Sequence, residues 1–220
     1  MTHDSELLFR YLDQTRQLYG NNLFIGSHTI QDLKYDKKNL ESFCASICEC
    51  QKCPLGSTRN NFVFGVGNPN ADIVFVGEAP GEKEDKIGEP FVGRAGQLLD
   101  KMLGAIELRR KDIYICNVLK CRPPNNRDPL PNEVELCEPY LKTQLSLIKP
   151  KLIVSLGRVS AFTILKTKEP LKNLRNKTFK YEGIDLFVTY HPAALLRNPN
   201  YKKPAWEDFK MIRDRYLLKN

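Results

Sequence analysis

The sequence predicts an α/β protein whose mostly parallel sheet is covered on both faces. Two observations carry that expectation. From Ala71 onward, short apolar runs alternate with amphipathic stretches, and the runs are apolar at successive residues, not at every second one. Strands of that kind sit between two layers of helices. The chain of 220 residues is long enough for one such core and an appendage.

Residues 4–19 come first, with Leu7, Leu8, Tyr11, Leu12 and Leu18 at near-helical spacing behind a capping Asp4 or Ser5. Gly20-Asn21-Asn22 ends that helix, and a second amphipathic helix is expected from Ile30 to Cys48. Residues 1–43 therefore read as an N-terminal helical extension and 44–220 as the main domain. In the latter, the candidate strands are Ile73–Val76, Ile113–Val118, Leu152–Leu156 and Leu186–Tyr190. Helical patterns occupy Gly96–Glu107, Asn132–Ile148 and Val159–Leu165 between them. The proline-rich pieces, Arg122 to Asn126 and Pro129 to Pro131, read as a loop of fixed shape.

Composition narrows the function. Hydrophobic residues make up 41% and charged residues 27%, as in soluble globular proteins. No apolar run reaches the roughly 20 residues of a membrane span, and Met1 to Glu6 carries no basic-plus-apolar leader pattern. The expected location is the cytoplasm, with no membrane partner. The formal net charge of +8 favours a polyanionic partner such as nucleic acid.

Seven cysteines in such a chain point to metal ligation more than to disulfides. Cys50-x2-Cys53 lets two thiolates hold one centre from a tight turn, and Cys121 and Cys137 flank the proline-rich loop. Four such thiolates suit an iron–sulfur cluster or a zinc site. A zinc ribbon would bring a second C-x2-C knuckle, absent here, so the spacing leans toward iron–sulfur. Cys44 and Cys48 lie one helical turn apart and compete with Cys50 as ligands, whereas Cys116 falls in a strand and reads as core.

The strand ends locate the chemistry. They deliver Glu78, Asn117, Ser155 with Gly157, and Tyr190 with His191. Ligands of open α/β sheets lie beyond the carboxyl ends of the strands, so an acid, an amide and an imidazole are expected in one pocket.

Three motifs, GEAPGEKED with PFVGRAGQLLD, NVLKCRPPNNRDPLPNEVELC, and HPAALLRNP, carry a family resemblance. Together with the C-x2-C pair they span Cys50 to about Trp206, and the chain resembles the family 4, iron–sulfur uracil-DNA glycosylases. The resemblance implies a three-layer α/β/α sandwich around a four-stranded parallel sheet. It further implies a 4Fe-4S cluster held by Cys50, Cys53, Cys121 and Cys137, and uracil-containing DNA, single- or double-stranded, as partner. A relative that crosslinks to its DNA carries a basic, His-containing insertion after the third ligand cysteine. Arg122 to Asn126 has no histidine, so crosslinking is not expected.

On that resemblance each residue takes a role. The target base must leave the duplex, and Phe91 would stack on it. The Asn117 side chain would accept from uracil N3–H and donate to O4, a pattern that cytosine reverses. His191 would donate to O2 as charge gathers on the leaving base. Glu78 and Glu84 both qualify to stabilise the oxocarbenium-like sugar and orient water. Gly77 and Gly81 would bring backbone N–H groups close to the base or a phosphate. Leu195, Leu196 or Arg197 would fill the gap left by the flipped nucleotide, and Lys202, Lys203, Arg175 and Lys177 are candidates for phosphate contacts. No lysine offers itself as an amine nucleophile, so hydrolysis without strand cleavage is expected from a monomer. The competing reading is a catalytically weak iron–sulfur DNA-binding module associated with replication or repair proteins. A zinc-dependent hydrolase of another nucleotide comes third.

Overall fold

The computed structural model describes residues 39–217. The helix expected at 4–19 and most of the proposed N-terminal extension lie outside the described residues. Within them, helix α1 (Leu40–Ile47) runs across the boundary expected after residue 43. Its Phe43 is fully buried and meets Phe64 and Tyr140 edge-on. Residue 43 therefore belongs to the main core.

Four strands lie where the sequence placed them: β2 (Ile73–Gly77), β3 (Tyr114–Asn117), β4 (Leu152–Leu156) and β6 (Ile184–Thr189). All four pair in parallel, in the order β3-β2-β4-β6. Two antiparallel edge strands extend the sheet to six, β1 (Val66–Gly67) against β3 and β5 (Thr178–Tyr181) against β6. Both escaped the sequence reading. β1 has only two residues, and β5 has a single buried position, so neither shows an apolar run. Glu182 and Gly183, both at positive φ, make the tight turn between β5 and β6.

Every residue of β2, β3 and β4 is buried, which explains why their sequences do not alternate. On one face Ile73, Phe75, Ile115 and Val154 pack with Leu99 and Leu103 of α4 (Arg94–Gly104) and Phe209 and Ile212 of α9 (Lys202–Ile212). On the other, Tyr114 meets Gln144 of α5 (Pro131–Ile148), and Ser160 of α6 (Arg158–Leu165) donates to the Val76 carbonyl at 2.9 Å. The short helices α2 (Leu55–Thr58), α3 (Glu82–Ile87), α7 (Leu171–Leu174) and α8 (Pro192–Arg197) fill the connections. The chain leaves β2 for β3 on one side, then crosses to β4 on the other. The topological switch point thus falls between β2 and β4, where such folds open a crevice. Among the described residues no helix is long and apolar enough to cross a membrane.

Candidate active site

A cavity of about 760 Å3 opens at this switch point. Glu78, Asn117, Gly157 and His191, from the ends of all four parallel strands, line it together with Gly81, Glu84, Phe91 and Arg197. Acid, amide and imidazole thus share one pocket.

Asn117 ends β3 opposite Gly77. Its side chain is 2% exposed, and among the described residues its Oδ1 is the buried side-chain polar atom left without a hydrogen-bond partner. A buried acceptor without a donor costs about 1–3 kcal/mol, so the site awaits an N–H group. Gly77 lies beneath the cavity wall, not in it. A Cβ there would stand 2.3 Å from the Asn117 Oδ1 and 2.7 Å from the Phe91 ring, so glycine is what lets amide and aromatic ring meet.

Phe91 itself has φ of 56°, a left-handed conformation that costs an aromatic residue on the order of 1–3 kcal/mol. Its loop is held from two sides. The Glu84 Oε1 accepts the N–H groups of Val92 and Gly93 at 3.0 and 2.9 Å. Arg110, paired with Asp100 at 2.6 Å, donates to the carbonyls of Pro90 and Phe91. Glu84 is therefore a clamp on the aromatic loop. Of the other acids beyond Gly77, Asp85 is buried under Asn60 and Asn61, and Glu82 pairs with Lys86 at the surface. Glu78 remains.

Burial pushes the Glu78 carboxyl up to about 7, with the charge of Asp128 adding and that of Arg158 opposing. Asp128 and Arg158 form an exposed ion pair at 3.1 Å. Next to Asp128, Arg127 forks onto the buried Glu133 at the start of α5, at 2.9 and 2.6 Å. That fork fixes the proline-rich strap beside Glu78.

His191 sits at the end of β6, its ring stacked against Phe91 with centroids 5.4 Å apart. Its Nδ1 accepts the Ala193 N–H at 3.1 Å and caps α8. Burial, with Arg197 adding and Glu84 opposing, lowers its pKa to about 4. A neutral ring whose Nδ1 is an acceptor carries its proton on Nε2, and that N–H is the donor left for a ligand.

Two expectations are corrected. Leu195 is buried at 2% exposure, so its side chain faces the core and only Leu196, at 40%, stands outside with Arg197. Arg175 is no free phosphate ligand: it forks onto buried Asp208 at 2.7 and 2.8 Å. A motif lysine, Lys120, does lie close by, yet its fully buried ammonium donates to the Asn117 carbonyl and to Gln144. It braces the amide strand and is no nucleophile. Sequence reasoning passed over Arg158 and Asp128, although Arg158 directly follows a strand end and so carried a readable signal.

Away from this pocket, the cysteine set takes donors at its sulfurs. Tyr140 Oη and the Lys52 N–H donate to Cys50, Arg59 to Cys121, and the Lys120 N–H to Cys137, at 3.2–3.5 Å. Burial pushes Cys121 up to about 11 and Cys137 up to about 12, while Arg59 opposes at the first and Lys120 at the second. Cys50 and Cys53 act electrostatically on Cys121, and Cys121 and Cys50 on Cys137. Burial raises Cys44, with the charge of Cys48 adding and that of Lys120 opposing. Among the described residues no three Cys, His, Asp or Glu side chains gather tightly enough for a single metal ion. Donors at three of the four sulfurs, those of Cys50, Cys121 and Cys137, match what cluster ligands need.

The family model described as "Uracil DNA glycosylase superfamily" matches residues 64–210. A Type-4 uracil-DNA glycosylase of Archaeoglobus fulgidus is 48% identical over 183 residues, covering 80% of this chain and 92% of that protein. One from Sulfurisphaera tokodaii is 48% identical over 185 residues, with 80% and 84% covered. One from Thermotoga maritima is 45% identical over 161 residues, with 72% and 84% covered.

Proposed function

The chain belongs to the uracil DNA glycosylase superfamily, and on that footing we propose that it hydrolyses the N-glycosidic bond of uracil flipped out of DNA. One observation carries the reading: the orphaned Asn117 Oδ1 inside the cavity. Uracil presents a donor, N3–H, where cytosine presents an acceptor. Of these two bases only uracil satisfies the amide, and the mismatch with cytosine costs about 1–3 kcal/mol for each buried group left unpaired.

The remaining residues divide the work. Phe91, strained and clamped, offers a flat apolar wall to the base. The His191 Nε2–H donates to uracil O2, so the departing base leaves as a stabilised anion. Such a donor aimed at developing charge is worth about 10²–10³ in rate. Glu78, once ionised, stabilises the cationic sugar and aligns the water that replaces the base. The proton released by that water is accepted by the carboxylate and passes through solvent to the uracil anion, so the products are free uracil, an abasic site and the regenerated carboxylate. Glu84 acts through the loop and not on the substrate.

Cys50, Cys53, Cys121 and Cys137 would hold a 4Fe-4S cluster. When bound it supplies a cross-link between the Cys50 turn, the end of the β3 segment and helix α5. The sulfur-directed donors of Tyr140, Arg59, Lys52 and Lys120 support this assignment.

The direct test is base release from uracil-containing single strands and U:G duplexes. The wild-type chain is expected to free uracil and leave the strand unbroken until alkali is added. Asn117→Ala and His191→Ser should slow release by orders of magnitude, and mutants as fast as wild type would remove the site assignment.

A further inference from the structure

Beside the cavity stands a column of planar groups with no part in the reaction. Tyr190 and Tyr201 stack with centroids 4.6 Å apart and planes 9° from parallel. The Arg175 guanidinium also lies over the Tyr190 ring, 4.6 Å from its centroid. Arg175 is fixed from the interior: it forks onto Asp208 and donates to the Pro204 carbonyl at 2.6 Å. Asp208, fully buried, also accepts from the Thr189 hydroxyl at 2.6 Å. The column therefore rises from the core outward, and Tyr201 is its last plane.

One face of Tyr201 is covered by Tyr190. The residue is nonetheless 37% exposed, and it lines the same cavity as His191 and Arg197. A solitary surface tyrosine loses rotamer freedom when something stacks on it. This one is already held flat. Flipping a nucleotide also strips its neighbour of a stacking partner, and a fixed aromatic plane at the rim can restore that contact for any base.

Resting on the glycosylase reading, we propose that the outer face of Tyr201 is a stacking subsite for the nucleobase flanking the everted nucleotide. The ligand is an unstacked purine or pyrimidine, recognised by its π-face without sequence preference. Exposed Lys202 and Lys203 follow directly in the chain, within reach of the phosphates of such a strand. The subsite acts on binding and leaves the chemical step alone.

The test uses the full chain and a single-stranded oligonucleotide with 2-aminopurine next to a stable abasic-site analogue. Bound to wild type, the aminopurine is expected to stay quenched against Tyr201. Tyr201→Ala should brighten the complex several-fold and weaken binding roughly five- to a hundredfold, with the rate of bond cleavage at saturation unchanged. Tyr201→Phe, which keeps the plane, should match wild type in both readouts. Tyr201→Leu keeps apolar bulk without the plane and should behave like the alanine variant, so it carries the comparison if alanine unfolds the chain. Equal brightness and affinity in wild type and the planeless variants overturn the subsite. Failure of the wild type itself to bind the abasic strand or release uracil would strike the glycosylase reading instead.

Discussion

Gly77 and Asn117 face each other across the β2–β3 ladder, and a methyl group on Gly77 would lie 2.3 Å from the Asn117 Oδ1. That approach is closer than packed atoms tolerate, so the Asn117 amide and the Phe91 ring exist side by side only because position 77 lacks a side chain. Gly77→Ala should displace both, lower single-turnover uracil release by about a hundredfold or more, and cost about 1–3 kcal/mol of stability as overpacking does. Release at the wild-type rate would show that the packing of these residues does not matter.

On the proposed mechanism the acidity of Glu78 sets the pH dependence. With its carboxyl pushed up to about 7 by burial, release should climb about tenfold per pH unit below that value and level off above it. His191, lowered to about 4, stays neutral throughout and adds no falling limb. Glu78→Gln should give a flat profile about 10²–10⁴-fold lower. A wild-type profile flat from pH 5 to 8 would exclude Glu78 as the ionising group.

Stability carries the opposite sign. Between 4.5 and about 7 the folded Glu78 keeps a proton that the unfolded chain releases, so folding loses free energy as pH rises through that window. His191 works the other way: between 6.5 and about 4 the unfolded chain takes up a proton that the folded ring refuses. Stability therefore falls there as pH falls. Glu78→Gln should unfold at a higher temperature than wild type at pH 8 and show no such gain at pH 4. A loss at pH 8 would contradict the account.

Glu84 should behave unlike Glu78 although both are acids in one motif. Its Oε1 holds the N–H groups of Val92 and Gly93, and an amide oxygen can accept them too. Glu84→Gln is expected to retain most activity. Glu84→Ala frees a loop that holds Phe91 at φ of 56°; KM should rise about tenfold and stability fall by about 1–2 kcal/mol. Equal, severe losses in Glu84→Gln and Glu78→Gln, read from KM and kcat separately, would put Glu84 back in the chemistry.

Much of this was legible in the sequence because it is local. Ile73–Val76 is apolar at every position since both faces are covered, and Glu78, Asn117 and His191 lie at or just beyond the ends of their strands. Other features depend on distant partners. Arg175 looks like a free cation until Asp208, far along the chain, is seen to take it. Leu195 and Leu196 are equally apolar, and only the docking of α8 buries the first and exposes the second. The clamp of Arg110 on the Phe91 loop and the His191 tautomer rest on backbone groups, which every residue has and no motif displays. β5 was missed because an edge strand half in water needs no apolar run.

The cysteines separate into two groups by what surrounds them. Cys50→Ala or Cys137→Ala should lower iron per chain, visible absorbance and unfolding temperature together, because each would remove a ligand of the proposed cluster. Cys44→Ser and Cys116→Ala should keep full iron content, since neither belongs to the proposed ligand set and Cys116 is buried in β3. Iron loss in Cys44→Ser would move the first ligand upstream.

The sharpest probe is single-turnover release from two oligonucleotides that differ by one methyl group, uracil against N3-methyluracil. Methylation removes the hydrogen that the buried Asn117 Oδ1 lacks and leaves O2 and the glycosidic bond as they were. Uracil should be freed at least about a hundredfold faster by the wild type, and the gap should shrink in Asn117→Ala. Equal release of both bases by the wild type would contradict the account.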